Sequence, residues 1–325
     1  MPSVSMIRSY GGSDVMALEA SDVGAPHTGE IRIRQTAIGV NFHDIYVRSG
    51  LYNTLVPPGI LGCEAAGVIE AIGPDVEDFN IGDRVAYVTG PPYGAYASDR
   101  LLPAKAAVPL PDDISDELAA GNFLRALTVE MLARQVTQIK PGMTILVHAA
   151  AGGVGRLLCK MASHMGATVI GTVGSSQKAK IARDMGCTHT ILYRDVNFVD
   201  EVMKITDSNG VSVVYDSIGA DTFEGSLSVL APCGHLVNFG QSSGNVNPVA
   251  MATLAQKSLT VSRPILFHYL SDMAVYRDMA ARVFALFSEG TLNAIEPVVF
   301  ALEDADQAHD LLASRNATTP IILKP

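Results

Sequence analysis

Short apolar runs, separated by glycine and proline, fill the first third of the chain. Three of these runs predict β-strands, because each ends at a turn signal: residues 30–39, 67–73 and 84–88. The acidic, glycine-bearing segment 74–83 is expected to be a loop between two strands. This spacing of strands and turns predicts an irregular unit made mainly of β-structure.

The hydrophobic pattern changes near residue 116, where apolar residues recur at helical spacing as far as residue 135. An apolar run at 144–150 then predicts a buried strand. From there strands alternate with helices, the strands at 168–173, 190–193, 211–218 and 236–240 and the helices at 177–185, 198–205 and 222–230. This alternation predicts an α/β doubly wound sheet, with parallel strands covered by helices on both faces.

The segment after Pro264 has a different pattern. A long helix is predicted at 272–289 and a second helix at 303–314, with strands at 295–300 and 320–323. We expect this tail to rejoin the first unit, so that the unit is built from two separate stretches of the chain.

Composition narrows the class of function. The 325 residues carry a formal charge of −10, which argues against a nucleic-acid or anionic-membrane surface. No run reaches the roughly 18 apolar residues of a membrane span, and the N-terminus lacks the pattern of a secretory signal. The four scattered cysteines form no C-x-x-C pair. We therefore expect a soluble, cytoplasmic protein.

The strongest motif is TILVHAAAGGVGRLLCKMA, residues 144–162, which follows an apolar strand and opens an amphipathic helix. Aligned with G-x-G-x-x-G, its three slots hold Ala150, Gly152 and Gly155. The first slot turns the chain out of the strand, which alanine permits if its φ stays negative. The second lets the backbone approach a pyrophosphate, and the third lets the helix pack on the strand. The motif therefore predicts a dinucleotide at the start of the helix.

The choice of dinucleotide depends on the end of the next strand. Sites that prefer NAD place an acidic residue about 20 residues past the glycines. Here the segment 171–178 reads GTVGSSQK, and no acid appears before Asp184. Ser175 or Ser176 can bond a 2′-phosphate and Lys178 can neutralise it. The sequence therefore predicts NADPH.

The first third lacks the usual ligands of a catalytic zinc. Asn41 stands where zinc alcohol dehydrogenases carry a cysteine, and Cys63 stands where they carry a histidine. A site made of Cys63, Glu64 and His43 is the alternative, but we expect no metal and a buried Cys63. Quinones and other conjugated carbonyls suit a metal-free reduction, because they are already electrophilic.

Motifs spread over the chain resemble one family. AAAGGVG at 149–155, GVNFHDIYVRSGLY at 39–52, LTVE at 127–130, VYDSIG at 214–219, FGQSSG at 239–244 and SRP at 262–264 are similar to those of zeta-crystallin-type quinone oxidoreductases. These belong to the zinc-lacking branch of the medium-chain dehydrogenases. The resemblance implies a GroES-like catalytic domain (1–125), a Rossmann NADPH-binding domain (126–265) and a C-terminal segment (266–325) that returns to the catalytic domain. It also implies a homodimer, joined through the strand around 259–262.

The resemblance also implies roles for individual residues. Asn41 and Tyr46 are expected near the nicotinamide, with Tyr52 close by and Thr128 under the cofactor. The remaining cofactor contacts are Ala151, Gly152, Gly153 and Val154 at the pyrophosphate, Gly174, Ser175, Lys178, Tyr193 and Arg315 at the adenosine phosphate, and Ser217, Phe239, Gly240 and Ser242 along the cofactor's path.

Two departures from the family pattern concern the acceptor. His43 stands where an aliphatic residue is more common, and Arg125 stands where a lysine is common. The sequence leaves three hypotheses open: a quinone reductase, an alkenal or enone reductase with the same hydride geometry, and a non-enzymatic NADPH-binding protein with a structural or RNA-binding role. The acidic charge and the lack of a basic, aromatic stripe disfavour the third.

Overall fold

A computed structural model describes residues 2–292, 295–314 and 316–325. Its strands are β1 Ser3–Ile7, β2 Met16–Ala20, β3 Glu30–Val40, β4 Gly59–Ile60, β5 Glu64–Ile72, β6 Arg84–Val88, β7 Asp99–Pro103, β8 Ala107–Pro109, β9 Thr144–Val147, β10 Thr168–Val173, β11 His189–Leu192, β12 Val211–Asp216, β13 Leu230–Asn238, β14 Thr260–Ser262, β15 Val298–Ala301 and β16 Ile321–Lys324. Its α-helices are α1 Phe42–Arg48, α2 Asp116–Glu130, α3 Gly153–His164, α4 Ser176–Asp184, α5 Phe198–Ile205, α6 Phe223–Ser228, α7 Met251–Ala255, α8 Leu266–Tyr269, α9 Met273–Ser288 and α10 Ala305–Ala313.

The chain divides into two compact units. The first unit contains residues 1–124 and 270–325, and the second contains residues 125–269. The sequence placed its domain limits at 125/126 and 265/266. The assignment of catalysis to one domain and NADPH binding to the other stays a prediction.

The second unit is built on a six-stranded sheet in the order β11-β10-β9-β12-β13-β14. Neighbouring strands are parallel throughout. Its core is aliphatic and includes Leu146, Ile170, Val214 and Leu236, one from each of four strands. Such apolar strands suit a sheet covered on both faces. The doubly wound α/β fold predicted from the sequence is confirmed.

The first unit is mainly antiparallel. A seven-stranded sheet has the order β15-β16-β3-β5-β6-β8, with β7 also paired to β3, and a smaller sheet has the order β2-β1-β4. The C-terminal strand β16 pairs with β3, so that Ile321 lies opposite Val40. Strand β3 thus connects the chain's last residues to the start of α1.

Two predicted elements end earlier than the sequence indicated. The helix predicted to run to residue 135 leaves α-geometry after Glu130 and continues as a π-helical turn, Met131–Val136. The hydroxyl of Thr137 donates to the carbonyl of Leu132 at 2.9 Å, five residues back, which matches a wide turn. The strand predicted at 144–150 stops at Val147, because Ala149 adopts a left-handed conformation (φ 50°).

The remaining differences are smaller. The strand predicted at 211–218 ends at Asp216, and the one predicted at 236–240 begins earlier, at Leu230. The strand predicted at 295–300 is displaced to Val298–Ala301. In the described part of the chain no helix has both the length and the apolar character needed to cross a bilayer.

Candidate active site

The predicted cofactor residues of the second unit lie at one edge of its sheet. Parallel strands all end at the same edge, and ligands of such sheets bind there, at the point where the strand order reverses. Here the reversal falls between β9 and β12, next to the motif that follows β9. The loops at this edge carry Ala151, Gly152, Gly153 and Val154 after β9, Gly174, Ser175 and Lys178 after β10, Tyr193 after β11, Ser217 after β12, and Phe239, Gly240 and Ser242 after β13.

The turn between β9 and α3 leaves the start of that helix open. Gly152 occupies the N-cap position, so no side chain covers the amide groups of the first turn, and that turn holds no acidic residue. Gly155 packs against the turn itself: a methyl group built on it would overlap the carbonyl oxygen of Ala149 and lie 3.1 Å from Cα of Ala150. Uncapped amides at the positive end of a helix dipole suit a phosphate. The turn therefore fits a dinucleotide's pyrophosphate.

The left-handed residue of this turn is not in the predicted first slot. Ala150 keeps a negative φ, as the motif alignment required, and Ala149 carries the positive value of 50° instead. The carbonyl of Ala149 accepts the amide of Gly152 at 2.8 Å. A left-handed alanine costs about 1–2 kcal/mol, and it lies in the five-residue connection from the strand to the helix.

The adenosine end of the predicted cofactor path lies at the start of α4. Ser175 caps this helix by accepting the amide of Lys178 at 3.3 Å. A methyl group on Gly174 would lie 2.9 Å from the Tyr193 hydroxyl and 3.5 Å from Nε of Arg194. The structure thus brings four predicted residues together and adds Arg194, a cation that motif alignment missed. Arg315, the fifth predicted residue, lies outside the described residues.

A buried carboxylate shapes the loop after β12. Asp216 is fully buried, and its Oδ1 accepts the amides of Ile218 at 2.7 Å and Gly219 at 3.1 Å. The hydroxyl of Thr222 donates to both carboxylate oxygens. The loop so fixed includes Ser217, whose carbonyl accepts the amide of Ser242 at 3.3 Å. Asp216 therefore positions two predicted cofactor contacts.

His148 extends this buried network to the turn between β9 and α3. Its Nε2 lies 3.0 Å from the Ser226 hydroxyl, which lies 3.4 Å from Oδ2 of Asp216. Since Ser226 donates to the carboxylate, its oxygen accepts from His148, and Nδ1 accepts from Thr172 at 2.9 Å. Burial lowers the pKa of His148, while the charge of Asp216 opposes that shift. A neutral imidazole thus connects the turn after β9 to the loop after β12.

In the first unit, Asn41 is fixed at the start of α1. It is buried, and its Nδ2 donates to Oε1 of Glu64 at 2.7 Å. The other oxygen of Glu64 accepts the amide of Leu124 at 2.7 Å. Asp44 accepts the backbone amide of Asn41 at 2.8 Å. Two buried carboxylates therefore set the orientation of this side chain.

Tyr46 and Tyr52 form part of an aromatic cluster. Their ring centroids are 5.0 Å apart, and the amide of Tyr52 donates to the carbonyl of Tyr46. His43 packs edge-on against Tyr52 at 5.6 Å and lies 5.5 Å from the ring of Tyr93. The structure thus brings together two predicted catalytic residues and His43. Tyr93 joins them from the loop after β6, and no sequence motif marked it.

A second chain of buried, hydrogen-bonded side chains contains two residues of α1. Arg48 can only donate, so Nδ1 of His309 accepts from it at 3.1 Å and Nε2 carries the proton towards the Tyr96 hydroxyl, 2.8 Å away. Tyr96 donates in turn to Asp44 at 3.1 Å. Burial, followed by the charge of Arg48, lowers the pKa of His309 to about 3. The imidazole is therefore neutral in the folded protein.

This pKa makes the stability of the protein depend on pH. The folded-state pKa of His309 is depressed below the unfolded value near 6.5. The unfolded chain therefore binds the proton first, and stability is lost as the pH falls from 6.5 towards 3. We expect His309→Gln to reduce the loss in unfolding free energy between pH 7 and pH 5 by about 2 kcal/mol. Urea unfolding at both pH values checks this, with His27→Gln at an exposed position as the control; an equal loss in His309→Gln and wild type would contradict it.

Thr128 and Arg125 lie on the part of α2 that belongs to the second unit. Arg125 is buried, and a methyl group on Gly153 would lie 3.0 Å from its Nε. Thr128 is half-buried one turn further along the helix. Arg125 thus packs on the first residue of α3, which places a cation at the predicted pyrophosphate contact.

Two family models match separate parts of the chain. Residues 27–112 match the alcohol dehydrogenase GroES-like domain, and residues 153–285 match the zinc-binding dehydrogenase family. A quinone oxidoreductase of Pseudomonas aeruginosa is 44 % identical over 98 % of both chains. The chain belongs to the quinone oxidoreductases of the medium-chain dehydrogenase/reductase superfamily. It is an oxidoreductase, and the predicted GroES-like first domain and the family resemblance are confirmed.

Two further relatives differ in the substrates for which they are named. The crystal structure of Escherichia coli quinone oxidoreductase complexed with NADPH has a TM-score of 0.95 and 39 % identity, covering 99 % of this chain and all of the other. A 2-haloacrylate reductase of Burkholderia is 40 % identical over 100 % of this chain and 99 % of its own length. The family thus includes relatives named for quinones and a relative named for 2-haloacrylate.

The family that matches residues 153–285 is described as zinc-binding, whereas the positions that would hold a catalytic zinc lie in the first unit. In this oxidoreductase Cys63 is fully buried, and its thiol donates to Asp44 over 3.6 Å. Burial raises the pKa of this thiol, and the neighbouring carboxylates of Asp44 and Glu64 add to the shift. Among the residues that the structure describes, no group of three or more His, Cys, Asp and Glu side chains is arranged to hold a metal ion. The absence of a catalytic metal stays a prediction.

Proposed function

We propose that this oxidoreductase uses NADPH to reduce quinones. The observation that carries the choice of NADPH is the pair Tyr193 and Arg194 beside Gly174, next to the start of the helix that holds Ser175 and Lys178. Ser175, Lys178, Tyr193 and Arg194 offer hydroxyls and cations, and the sequence has no acid from Gly174 to Lys180. Such a group attracts a 2′-phosphate and contains no carboxylate to repel it. The E. coli relative crystallised with NADPH supports the same reading.

The residues of each unit have distinct tasks in this reaction. NADPH, when bound, supplies the hydride that reduces the acceptor. The start of α3, with Gly152, Gly153 and Val154, would hold the pyrophosphate, and the loop carrying Ser217 would line the cofactor's path. Asn41, held by Glu64, would orient the nicotinamide amide, while Tyr46 and Tyr52 offer flat apolar faces to a flat acceptor.

The test is NADPH consumption over a panel of simple quinones and enones, with semiquinone detected in parallel and NADH as the alternative donor. We expect rapid NADPH oxidation by at least one quinone, unaffected by a metal chelator. A clear preference for NADH, or activity abolished by the chelator, would reject the proposal.

A double-bond reductase is the second candidate, because the Burkholderia 2-haloacrylate reductase is as similar in sequence as several quinone oxidoreductases. The same substrate panel separates the two. Turnover of enones or 2-haloacrylate at a higher kcat/KM than any quinone would favour this candidate.

Lys178 offers a direct test of the cofactor. We expect Lys178→Ala to weaken NADPH binding about 10- to 100-fold, because it removes one charge-assisted hydrogen bond to the phosphate. NADH lacks that phosphate, so NADH binding should be unchanged. Lys180→Ala on the same helix is the matched control, because Lys180 is exposed and pairs with Asp184 at 2.7 Å. Fluorescence titration measures both. An equal loss for NADH, or for Lys180→Ala, would contradict the prediction.

We also propose that the protein is a homodimer joined at the edge of the six-stranded sheet. Strand β14 is the last strand of that sheet among the described residues, and Ile265, three residues after it, is exposed. An unpaired parallel edge with exposed apolar neighbours favours pairing with a second copy. Light scattering on the purified protein checks the mass; a monomer at micromolar concentration would reject this assembly.

A further inference from the structure

A hydrogen-bonded row of side chains lies beside the predicted acceptor residues. The Tyr93 hydroxyl is 2.9 Å from Nε2 of His43 and 2.7 Å from the hydroxyl of Thr54. Tyr93 is buried, with 7 % of its surface exposed, whereas Thr54 is exposed to solvent. The row therefore leads from the aromatic cluster to water.

The inner end of this row contacts the residues assigned to the acceptor. The ring of His43 packs edge-on against Tyr52, which in turn contacts Tyr46. His43 thus places a group able to exchange a proton next to the tyrosine pair.

We propose that His43 supplies the proton that the reduced acceptor requires, and that Tyr93 and Thr54 reload it from solvent. The inference rests on the proposed function. Reduction of a quinone consumes two electrons and two protons, and the hydride from NADPH brings both electrons with only one proton. The acceptor is left as an anion, and the second proton must come from the protein or from water.

The row can deliver that proton without creating a buried charge. The N–H bond at Nδ1 of His43 breaks and its proton passes to the acceptor anion, while Nε2 takes the proton of the Tyr93 hydroxyl. Tyr93 takes one from Thr54, and Thr54 takes one from water. NADPH is oxidised, the acceptor is reduced, and His43 changes only its tautomer, which exchange with solvent resets between turnovers.

The surroundings of the row keep the phenol protonated. Burial raises the pKa of Tyr93; the hydrogen bond from Thr54 opposes that shift, and electrostatic interactions with Cys63 and Asp44 add to it. Arg100 donates to the backbone carbonyl of Tyr93 at 3.2 Å and so fixes the loop that presents the hydroxyl. The titratable groups near this row include Tyr52, which packs on His43, and Asp44 and Cys63, which act on Tyr93.

Two variants and one control test the proposal. His43→Ala removes the donor, Tyr93→Phe removes only the relay hydroxyl, and His27→Ala changes an exposed histidine of the same unit. With an enone and a quinone as acceptors, we expect kcat to fall about 100-fold in His43→Ala with KM nearly unchanged, and to fall less in Tyr93→Phe. Added imidazole should restore kcat in His43→Ala and leave His27→Ala unaffected. A structural loss would not respond to imidazole.

A second readout needs no turnover. In ¹⁵N NMR spectra of the protein without NADPH, the Nε2 resonance of His43 should shift in Tyr93→Phe and not in His27→Ala. Values of kcat within twofold of wild type in both variants, or a loss that imidazole does not restore, would overturn the inference while the proposed function stands. If the wild-type protein oxidised NADPH with none of the quinones or enones tested, the proposed function itself would be rejected.

Discussion

Gly155→Ala is expected to abolish tight NADPH binding and to lower the melting temperature by several degrees. The added methyl group would overlap the carbonyl oxygen of Ala149 and lie 3.0 Å from its carbonyl carbon. Both atoms belong to the backbone of a turn whose left-handed residue is that same Ala149, so the neighbour cannot rotate away as a side chain would. Overpacking of this kind costs about 1–3 kcal/mol.

The matched control is Gly153→Ala, two residues earlier. There the added methyl group would lie 3.0 Å from Nε of Arg125, a flexible side chain that can move by a few tenths of an ångström. We expect Gly153→Ala to keep the wild-type melting temperature, and Gly155→Ala to lose stability and at least tenfold in NADPH affinity. Thermal unfolding and fluorescence titration measure the two effects. Equal melting temperatures for the two variants would show that α3 tolerates a side chain at its contact with the turn.

The second unit could be predicted well because its signals are local. Each buried strand is a continuous apolar run and each helix a separate periodic segment, so alternation alone indicated the parallel sheet. The predicted cofactor edge followed from the rule that all strand ends meet there, which brought Gly174 and Tyr193 together although they are 19 positions apart. Arg194 was missed because nothing about one arginine after a strand distinguishes it from a solvated residue.

In the first unit, local sequence patterns did not predict the contacts of the candidate site. Glu64 fixes Asn41 from 23 positions away and binds the amide of Leu124 from 60 positions away. The hydrogen bond between His43 and Tyr93 joins residues 50 positions apart. A carboxylate at the start of a strand and a tyrosine in a glycine-rich loop look like ordinary surface residues in the sequence. Their roles depend on which strands pair. The antiparallel pairing of β3, β5 and β6 joins distant segments, so no single segment of the sequence predicts it.

Both units contain a chain of hydrogen bonds that fixes a buried carboxylate in place. In the first, Arg48, His309 and Tyr96 donate in sequence to Asp44. In the second, Thr172, His148 and Ser226 donate in sequence to Asp216. Each chain passes through a neutral histidine and ends at a buried carboxylate. Removing the donors of a buried carboxylate, or removing the carboxylate that the donors bind, strongly destabilises the folded protein.

Asp216→Ala is therefore expected to cost about 2–4 kcal/mol in unfolding free energy, because it leaves the amides of Ile218 and Gly219 without their acceptor and removes the hydrogen bonds of the Thr222 hydroxyl to the carboxylate. The loop carrying Ser217 would then lose its fixed path. Since the carbonyl of Ser217 accepts the amide of Ser242, the effect should extend to the loop after β13, and NADPH should bind at least tenfold more weakly.

Asp221→Ala is the matched control, since Asp221 lies five residues further on and is exposed. Urea unfolding and NADPH titration measure both variants, and Asp216→Asn adds a graded step, because its amide oxygen can still accept the amides of Ile218 and Gly219. We expect the order wild type, Asp216→Asn, Asp216→Ala in both stability and affinity. Unchanged NADPH affinity in a folded Asp216→Ala protein would show that the loop after β12 does not line the cofactor's path, and the binding site would then have to be sought in the loops after β9 and β10 alone.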